Sequence, residues 1–213
     1  MGKKASIRKL KKYFKRTFTK RNATLVGVFI LAIIVLWAIM HPRNVIAPAA
    51  YSPLLEVIAK GESQGNYNAY FGNVANKEID FTSMTVADVL AWQKRFVAEG
   101  NASSAVGRYQ IIRPTLLGLV DERNLTTNEK FDQTLQDSLA ITLMERRGSI
   151  DFIKNELSSE DFAHQLSKEW AALPKIIGDQ PESSFYAGDG LNRSLIDSKT
   201  ILGAVTNFKE LAK

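Results

Sequence analysis

Gly61-Glu62-Ser63 and Gly107-Arg108-Tyr109-Gln110 are the two short stretches around which this chain is organised. The first places one carboxylate just after the apolar helical run of residues 54–59. A carboxyl group that acts as a general acid must be protonated near neutral pH, which requires an apolar, partly desolvated seat. The second stretch is a tight turn that carries an aromatic ring and an amide. We therefore expect the two stretches to meet, with Glu62 facing the turn.

The spacing of these residues resembles the Glu-Ser … Gly-x-x-Gln pattern of lysozyme-like lytic transglycosylases. Gly107 follows Ser63 by 44 residues, and the similarity is strongest to the transglycosylases of the lambdoid-phage endolysin type. That type has Ser-x-Gly-x-Gly-Arg-Tyr-Gln where this chain has residues 103–110, and Trp-Ala-x-Leu-Pro where it has residues 170–174. The resemblance covers roughly residues 54–175.

The resemblance implies a mainly α, lysozyme-like fold of the α+β kind, in which a helical domain carries a small β element. It also implies a phage enzyme that cleaves the β-1,4 bond between N-acetylmuramic acid (MurNAc) and N-acetylglucosamine (GlcNAc). Glu62 would be the catalytic residue, the product would be a 1,6-anhydro sugar, and the partner would be the peptidoglycan glycan strand. The biological use would be lysis or virion-associated cell-wall penetration. The alternative of another class is a non-catalytic module that binds glycan or a protein partner, but the presence of Glu62 favours the enzyme.

Several substrate contacts are also implied by the resemblance. They are Ser63, Tyr67, Tyr109, Gln110 and Tyr186. Gln110 would supply amide hydrogen bonds, Tyr109 a ring or hydroxyl, and Ser63 would either orient Glu62 or cap the helix end. Tyr67 would contact substrate if the segment after the first helix folds over the groove. Tyr186 is carried over alone from a related Ala-Tyr-Asn-Ala-Gly element, because this chain departs from it at the asparagine.

A hydrolytic muramidase would need a second carboxylate about 5–9 Å from Glu62. Glu78 and Asp80 are the candidates by position, and we interpret both as surface residues. His41 and His164 are the only histidines and there is no cysteine. The sequence therefore predicts no metal cluster of the His/Cys kind and no cofactor.

Charge is divided unevenly along the chain. Residues 1–43 contain eleven lysines and arginines and no acid, whereas residues 44–213 contain 17 basic and 22 acidic residues, a net charge of −5. The basic character therefore belongs to the N-terminal part, and nothing in the main domain indicates nucleic-acid binding. Residues 1–22 are typical of a basic arm beside a lipid bilayer, and a nucleic-acid-binding arm is the alternative.

Residues 23–40 form an uncharged run of 18 residues rich in Leu, Ile and Val. At about 1.5 Å per residue, such a helix spans most of the hydrocarbon core of a membrane. The basic residues before it predict a cytoplasmic N-terminus and a catalytic domain in the periplasm, or in the membrane of a virion. A cleavable signal peptide, with Ala47-Pro48-Ala49 as its cleavage site, and a releasable weak anchor are the alternatives. We favour a retained signal anchor, a linker over residues 41–50 and an enzyme domain over residues 51–213.

Local motifs predict the positions of the helices in that domain. Thr85-x-x-Asp88, Thr126-x-x-Glu129 and Ser158-x-x-Asp161 read as capping boxes that begin three of them. Gly61 reads as the stop of the first helix, and a last helix is predicted from about Ser194. Aromatic and β-branched residues over 66–82 predict one or two short strands.

Overall fold

The computed structural model describes residues 46–213. The predicted basic arm, the signal anchor over residues 23–40 and the first half of the linker lie outside the described residues. Within residues 46–213, no helix has both the length and the apolar character needed to cross a bilayer.

Seven α-helices joined by irregular segments build the described part of the chain. They are α1 (Ser52–Ser63), α2 (Val86–Ala98), α3 (Arg113–Arg123), α4 (Gln133–Arg146), α5 (Ser149–Ile153), α6 (Ser159–Ser167) and α7 (Ser198–Leu211). Two short 3₁₀ helices, Pro48–Tyr51 and Phe81–Ser83, precede α1 and α2. The predicted mainly α architecture is confirmed.

The predicted caps of α2 and α6 are confirmed. The hydroxyl of Thr85 accepts a hydrogen bond from the N–H of Asp88 at 3.2 Å, and the Asp88 carboxylate accepts one from the Thr85 N–H. Ser158 caps α6 in the same way, accepting from the N–H of Asp161 at 3.0 Å. These interactions satisfy donors of the first helical turn that have no partner within the helix.

The predicted cap of α4 at Thr126 is wrong. Thr126 and Glu129 bond to each other within a turn, and Asp132 is the residue that caps α4, by accepting from the N–H of Leu135 at 2.8 Å. Between the two, the N–H of Phe131 donates to the carbonyl of Met84 at 2.9 Å. This long-range pairing holds the chain extended and delays the helix. The last helix is likewise shifted, because Asp197 rather than Ser194 is its cap.

The predicted β element over residues 66–82 is also wrong, since within the described residues only isolated bridges occur and no strand forms. Asparagine side chains replace a ladder. The Asn66 amide donates to the carbonyls of Val74 and Asn76, at 2.8 and 3.0 Å. The buried Asn76 amide donates to the carbonyls of Asn68 and Ile79. Backbone groups that a strand partner would satisfy are thus satisfied locally, which is a common use of asparagine in loops.

Two clusters of aromatic side chains pack the helices and the 66–82 segment together. In the first, the ring of Tyr51 lies 4.7 Å from that of Phe208, and Phe152 and Phe162 stack at 5.0 Å. This cluster fastens α5, α6 and α7 to the start of α1. The second joins the 66–82 segment to α2 and consists of Tyr70, Phe81, Trp92 and Phe96. Buried aromatic side chains carry large apolar areas and dominate the energetics of small cores.

The folded region begins before the predicted domain boundary. Ile46 and Ala50 are buried, and Tyr51 is completely so, with its hydroxyl 2.9 Å from that of Ser149. The second half of the predicted linker is therefore part of the packed core. Proline content indicated a linker, but Ile46 and Ala50 belong to the buried hydrophobic core.

The turn at residues 107–110 is closed by two backbone hydrogen bonds between Val106 and Ile111. Gly107 has a φ of +79°, and a Cβ at this position would lie 2.4 Å from the Oε1 atom of Gln136. Both the left-handed conformation and the close approach of Gln136 require glycine.

We expect Gly107→Ala to lower the free energy of unfolding by about 1–3 kcal/mol, because it adds backbone strain and displaces a buried amide. Gly118→Ala is the matched control, since Gly118 lies within α3 and nothing would lie within 4 Å of its added Cβ. The control should be neutral or stabilising by up to about 1 kcal/mol. Denaturant unfolding measures both, and equal stabilities for the two variants would contradict the prediction.

Candidate active site

Glu62 lies in the last turn of α1, because Gly61 does not end the helix as predicted. The helix continues to Ser63, and Gln64 ends it in the left-handed conformation with a φ of 56°. Glycine at position 61 is instead required by the close packing of neighbouring residues. A Cβ there would lie 2.8 Å from the Cβ of Ala172 and 3.0 Å from Cγ1 of Ile196. The missing side chain lets the segment 170–174 approach the end of α1.

That approach brings a backbone donor to the candidate acid. The N–H of Ala172 donates to Oε1 of Glu62 at 3.0 Å. The carbonyl of Ala172 accepts from the N–H groups of Leu195 and Ile196, at 2.9 and 3.1 Å. The peptide groups on both sides of Ala172 are therefore engaged, which fixes the donor relative to the carboxyl.

Burial raises the pKa of Glu62 from 4.5 to about 7, and the hydrogen bond from Ala172 opposes the rise. Removal from water disfavours the charged carboxylate, whereas an N–H donor favours it. A carboxyl group with this balance is about half protonated at neutral pH. It can therefore donate a proton and, in the next step, accept one.

Ser63 joins the two stretches that the sequence singled out. Its side chain is fully buried, and its hydroxyl contacts the carbonyls of Arg108, at 2.7 Å, and Ala59, at 3.2 Å. The end of α1 and the 107–110 turn therefore meet through Ser63. The predicted substrate contact is not what the structure gives this residue, because a buried hydroxyl with backbone partners positions its neighbours instead.

Tyr109 supports the turn from the core side. Only 1% of it is exposed, and its hydroxyl donates to Oδ1 of Asp137 at 2.6 Å. Tyr67 is partly exposed and also donates to Asp137, while it accepts from the guanidinium of Arg108 at 2.7 Å. Arg108 in turn pairs with Glu56 of α1. Within this network, Tyr67 remains partly exposed, whereas Tyr109 is too deeply buried to contact a ligand.

Gln110 keeps the exposure that a substrate contact needs. It has a left-handed φ of 46°, and its amide nitrogen donates to the carbonyl of Gly107 at 2.8 Å. Its side chain is partly exposed, and one of its two amide N–H donors is committed to the turn. The side-chain oxygen is therefore the group through which Gln110 could accept a hydrogen bond from a ligand.

Tyr186 lies on a different segment, the loop between α6 and α7. It is 42% exposed, and its hydroxyl donates to the carbonyl of Lys168 at 2.7 Å. That loop returns to the 170–174 segment through a bridge between Pro174 and Ser184. Tyr186 is thus connected to the segment that supplies the donor for Glu62, and not to the 107–110 turn.

The two candidate second carboxylates are both exposed. Asp80 accepts hydrogen bonds from the hydroxyls of Thr82 and Ser83, and these bonds lower its pKa. Glu78 lies in solvent at the surface of the same segment. Neither has the desolvated environment of Glu62.

Sequence reasoning missed two residues of α4 that hold the site together. Gln136 is fully buried, accepts from the N–H of Arg108 at 2.9 Å and donates to the carbonyls of Tyr67 and Phe131. The carboxylate of Asp137 accepts hydrogen bonds from the hydroxyls of Tyr67 and Tyr109. The sequence offered no signal for them, because positions 136 and 137 lie about 100° and 200° round the helix from Leu135, where polar side chains are expected.

An open cleft of about 550 Å³ lies elsewhere, between α1 and α7. It is lined by Pro53, Val57 and residues of α7 such as Lys199 and Asn207. None of the predicted site residues borders it, so the chemistry places the candidate site at Glu62 rather than at this cleft.

The raised pKa makes a prediction about stability. The folded state holds the Glu62 proton more tightly than the unfolded chain, so the stability contributed by this group is complete below about pH 4.5 and is lost as the pH rises through about 7. Glu62→Gln cannot ionise but keeps an acceptor for Ala172. We expect its free energy of unfolding to match the wild type near pH 4 and to exceed it near pH 8 by up to about 3 kcal/mol. Urea unfolding at the two pH values measures the difference.

Glu78→Gln, which removes an exposed carboxylate, is the control, and its stability should follow that of the wild type at both pH values. A Glu62→Gln variant that is no more stable than the wild type at pH 8 would contradict the assignment of a desolvated acid.

Comparison of the sequence with known protein families identifies the family of this chain. The Endolysin family model matches residues 52–187, which include α1 with Glu62, the 107–110 turn and the 170–174 segment. No curated protein and no solved structure matches the chain. The matched region is more than half of the chain, so the protein belongs to the Endolysin family of phage lysozyme-like enzymes that degrade peptidoglycan.

Proposed function

We propose that this endolysin is a lytic transglycosylase that cleaves the MurNAc–GlcNAc β-1,4 bond and leaves a 1,6-anhydro product. One observation carries the proposal. Glu62 is a desolvated carboxyl whose pKa is raised to about 7, while the two candidates for a second carboxylate, Glu78 and Asp80, are exposed. A site with one usable carboxylate requires the substrate to provide the rest of the chemistry.

In the first step, protonated Glu62 donates its proton to the glycosidic oxygen, which leaves as the 4-hydroxyl of GlcNAc. The electron pair of the broken bond stays on that oxygen, and positive charge develops at C1 of MurNAc. The carbonyl oxygen of the substrate's own 2-acetamido group stabilises this centre. Burial of Glu62 serves this step because it keeps the proton on the carboxyl at neutral pH.

In the second step, ionised Glu62 accepts the proton of the MurNAc C6 hydroxyl, and the C6 oxygen forms a bond to C1. The ring closes without water, and Glu62 regains its proton. The N–H of Ala172 serves this step, because it donates to Oε1 and stabilises the carboxylate between the two transfers. The exposed edge of the site, with Gln110, Tyr67 and Tyr186, is where we propose that the glycan strand makes its contacts.

We further propose that residues 23–40 retain the enzyme in a membrane, with residues 1–22 in the cytoplasm and the folded domain on the other side. The support is the uncharged run itself and the eleven basic residues, without any acid, in residues 1–43. Such an enzyme suits phage lysis or local wall opening by a virion protein.

Loss of the acid should abolish turnover. Glu62→Gln keeps the shape and the acceptor but cannot donate a proton, so we expect kcat to fall by at least about 10²–10⁴-fold. Digestion of purified peptidoglycan followed by mass spectrometry gives both the rate and the chemistry. Wild-type products should end in 1,6-anhydro-MurNAc.

Glu78→Gln and Asp80→Asn are the matched controls, because each neutralises one exposed acid. Both should retain most of the activity. Reducing ends in the wild-type digest, combined with a folded but inactive Asp80→Asn variant, would instead establish a two-carboxylate muramidase.

Retention in the membrane can be tested with a reporter fused after Lys213. The fusion should be exported, and it should stay with the membrane fraction after a high-salt wash, because an apolar span is not released by screening of charge. Recovery of a soluble protein that starts at Ala50 would show cleavage and would contradict the anchor.

A further inference from the structure

The end of α6 and the loop after the 170–174 segment together carry a group of basic residues. The ammonium group of Lys168 lies 5.8 Å from the centre of the Phe185 ring, and the ring of His164 lies 6.3 Å from the same ring. Lys175 is fixed by backbone pairing, since its N–H donates to the carbonyl of Ser183 at 2.8 Å. We call Lys168, Lys175, His164 and Phe185 the basic cluster.

The positive charges of the basic cluster are not neutralised. Among the described residues, neither Lys168 nor Lys175 takes part in a salt bridge. Acids near the cluster in the chain have other partners: Asp161 accepts from the hydroxyl of Ser158, and Glu169 pairs with Arg147. Glu182, whose N–H donates to the carbonyl of Lys175, accepts with its carboxylate from the N–H of Ser198. Because residues 44–213 carry a net charge of −5, two uncompensated lysines on one face are a local exception.

The pKa of His164 shows that both lysines lie near its imidazole ring. Its pKa is lowered by desolvation and by the neighbouring ammonium groups of Lys168 and Lys175, while Asp161 acts in the opposite direction. Its Nδ1 atom is buried without a hydrogen-bond partner in the described structure. These causes favour the neutral imidazole, so the charge of the basic cluster comes from the two lysines.

The basic cluster is linked directly to the catalytic segment. Lys175 follows Ala172, the donor to Glu62, by three residues, so its Cα lies within about 11 Å of that of Ala172 even if the chain is fully extended. Phe185 and Tyr186 beside it are 44% and 42% exposed. Two exposed aromatic rings and two lysines without a salt bridge thus lie on the segments that flank the backbone donor to Glu62.

We propose that the basic cluster binds the carboxylates of the peptide stems that peptidoglycan carries on its MurNAc residues. This inference rests on the proposed function, because it concerns the same glycan strand. The peptides branch from the sugar that is cleaved, and they carry free carboxylates. Lysine ammonium groups pair with such carboxylates, and the exposed Phe185 ring offers a surface for the apolar parts of the peptide.

The test compares peptide-bearing glycan strands with strands from which an amidase has removed the peptides. For the wild type, kcat/KM should be higher on the peptide-bearing strands. In the double variant Lys168→Gln/Lys175→Gln, the ratio of the two kcat/KM values should fall about five- to thirty-fold, mainly through KM, as expected for the loss of two exposed charge pairs. An unchanged ratio would overturn the proposal.

The double variant Lys94→Gln/Lys130→Gln is the matched control. It makes the same change in net charge at exposed positions of α2 and of the segment before α4, and it should keep the wild-type ratio. An equal loss of the ratio in the control would show that overall charge, not the basic cluster, produces the preference, and would also overturn the proposal.

A binding measurement separates this proposal from the proposed chemistry. In a Glu62→Gln background, which does not turn over, calorimetry with a peptide-bearing muropeptide should give a Kd that Lys168→Gln/Lys175→Gln weakens by the same factor. The result is independent of whether the products are anhydro or reducing sugars. If the double variant binds the muropeptide normally but no longer sediments with phosphatidylglycerol vesicles, the cluster binds lipid and the proposal fails.

Discussion

The candidate site depends on one physical compromise at Glu62: its carboxyl group is largely but not fully desolvated and has a single hydrogen-bond donor. Desolvation alone would keep the group protonated, and several donors would keep it ionised. The N–H of Ala172 alone, together with burial, leaves the pKa at about 7. This balance requires the end of α1 to contact the 170–174 segment, which Gly61 permits by having no side chain. Tyr51, in the 3₁₀ helix just before α1, packs against Phe208 of α7 and fixes the start of α1.

A set of polar contacts fixes the position of the 107–110 turn. Ser63 joins α1 to the carbonyl of Arg108, and Gln136 of α4 receives the N–H of the same residue. Asp137, one residue further, accepts the hydroxyls of Tyr67 and Tyr109. Three elements that are far apart in sequence are thus fixed to one short turn by buried polar contacts. Buried polar networks of this kind specify a unique arrangement more than they add stability.

Features with a local cause could be predicted from the sequence, and features with a distant cause could not. The caps at Thr85 and Ser158 involve residues three apart, and both were predicted. The start of α4 was not, because the pairing of Phe131 with Met84 decides it. The predicted strands failed because Asn66 and Asn76 satisfy the backbone from their side chains. At the site, the importance of Glu62 could be predicted from the pattern. The donor on Ala172 could not, since 110 residues separate the two partners.

The contacts that define the site are made largely by the main chain. Ala172 acts through its N–H, Arg108 through its carbonyl and its N–H, and Gly107 through its conformation. The contacts of Arg108 with Ser63 and Gln136 would survive exchange of the arginine side chain, as long as the path of the backbone is kept. A lineage with this architecture can therefore diverge widely in sequence while Glu62, Gly61 and the turn glycine stay fixed. Recognition of distant relatives then depends on a few short signatures rather than on overall identity.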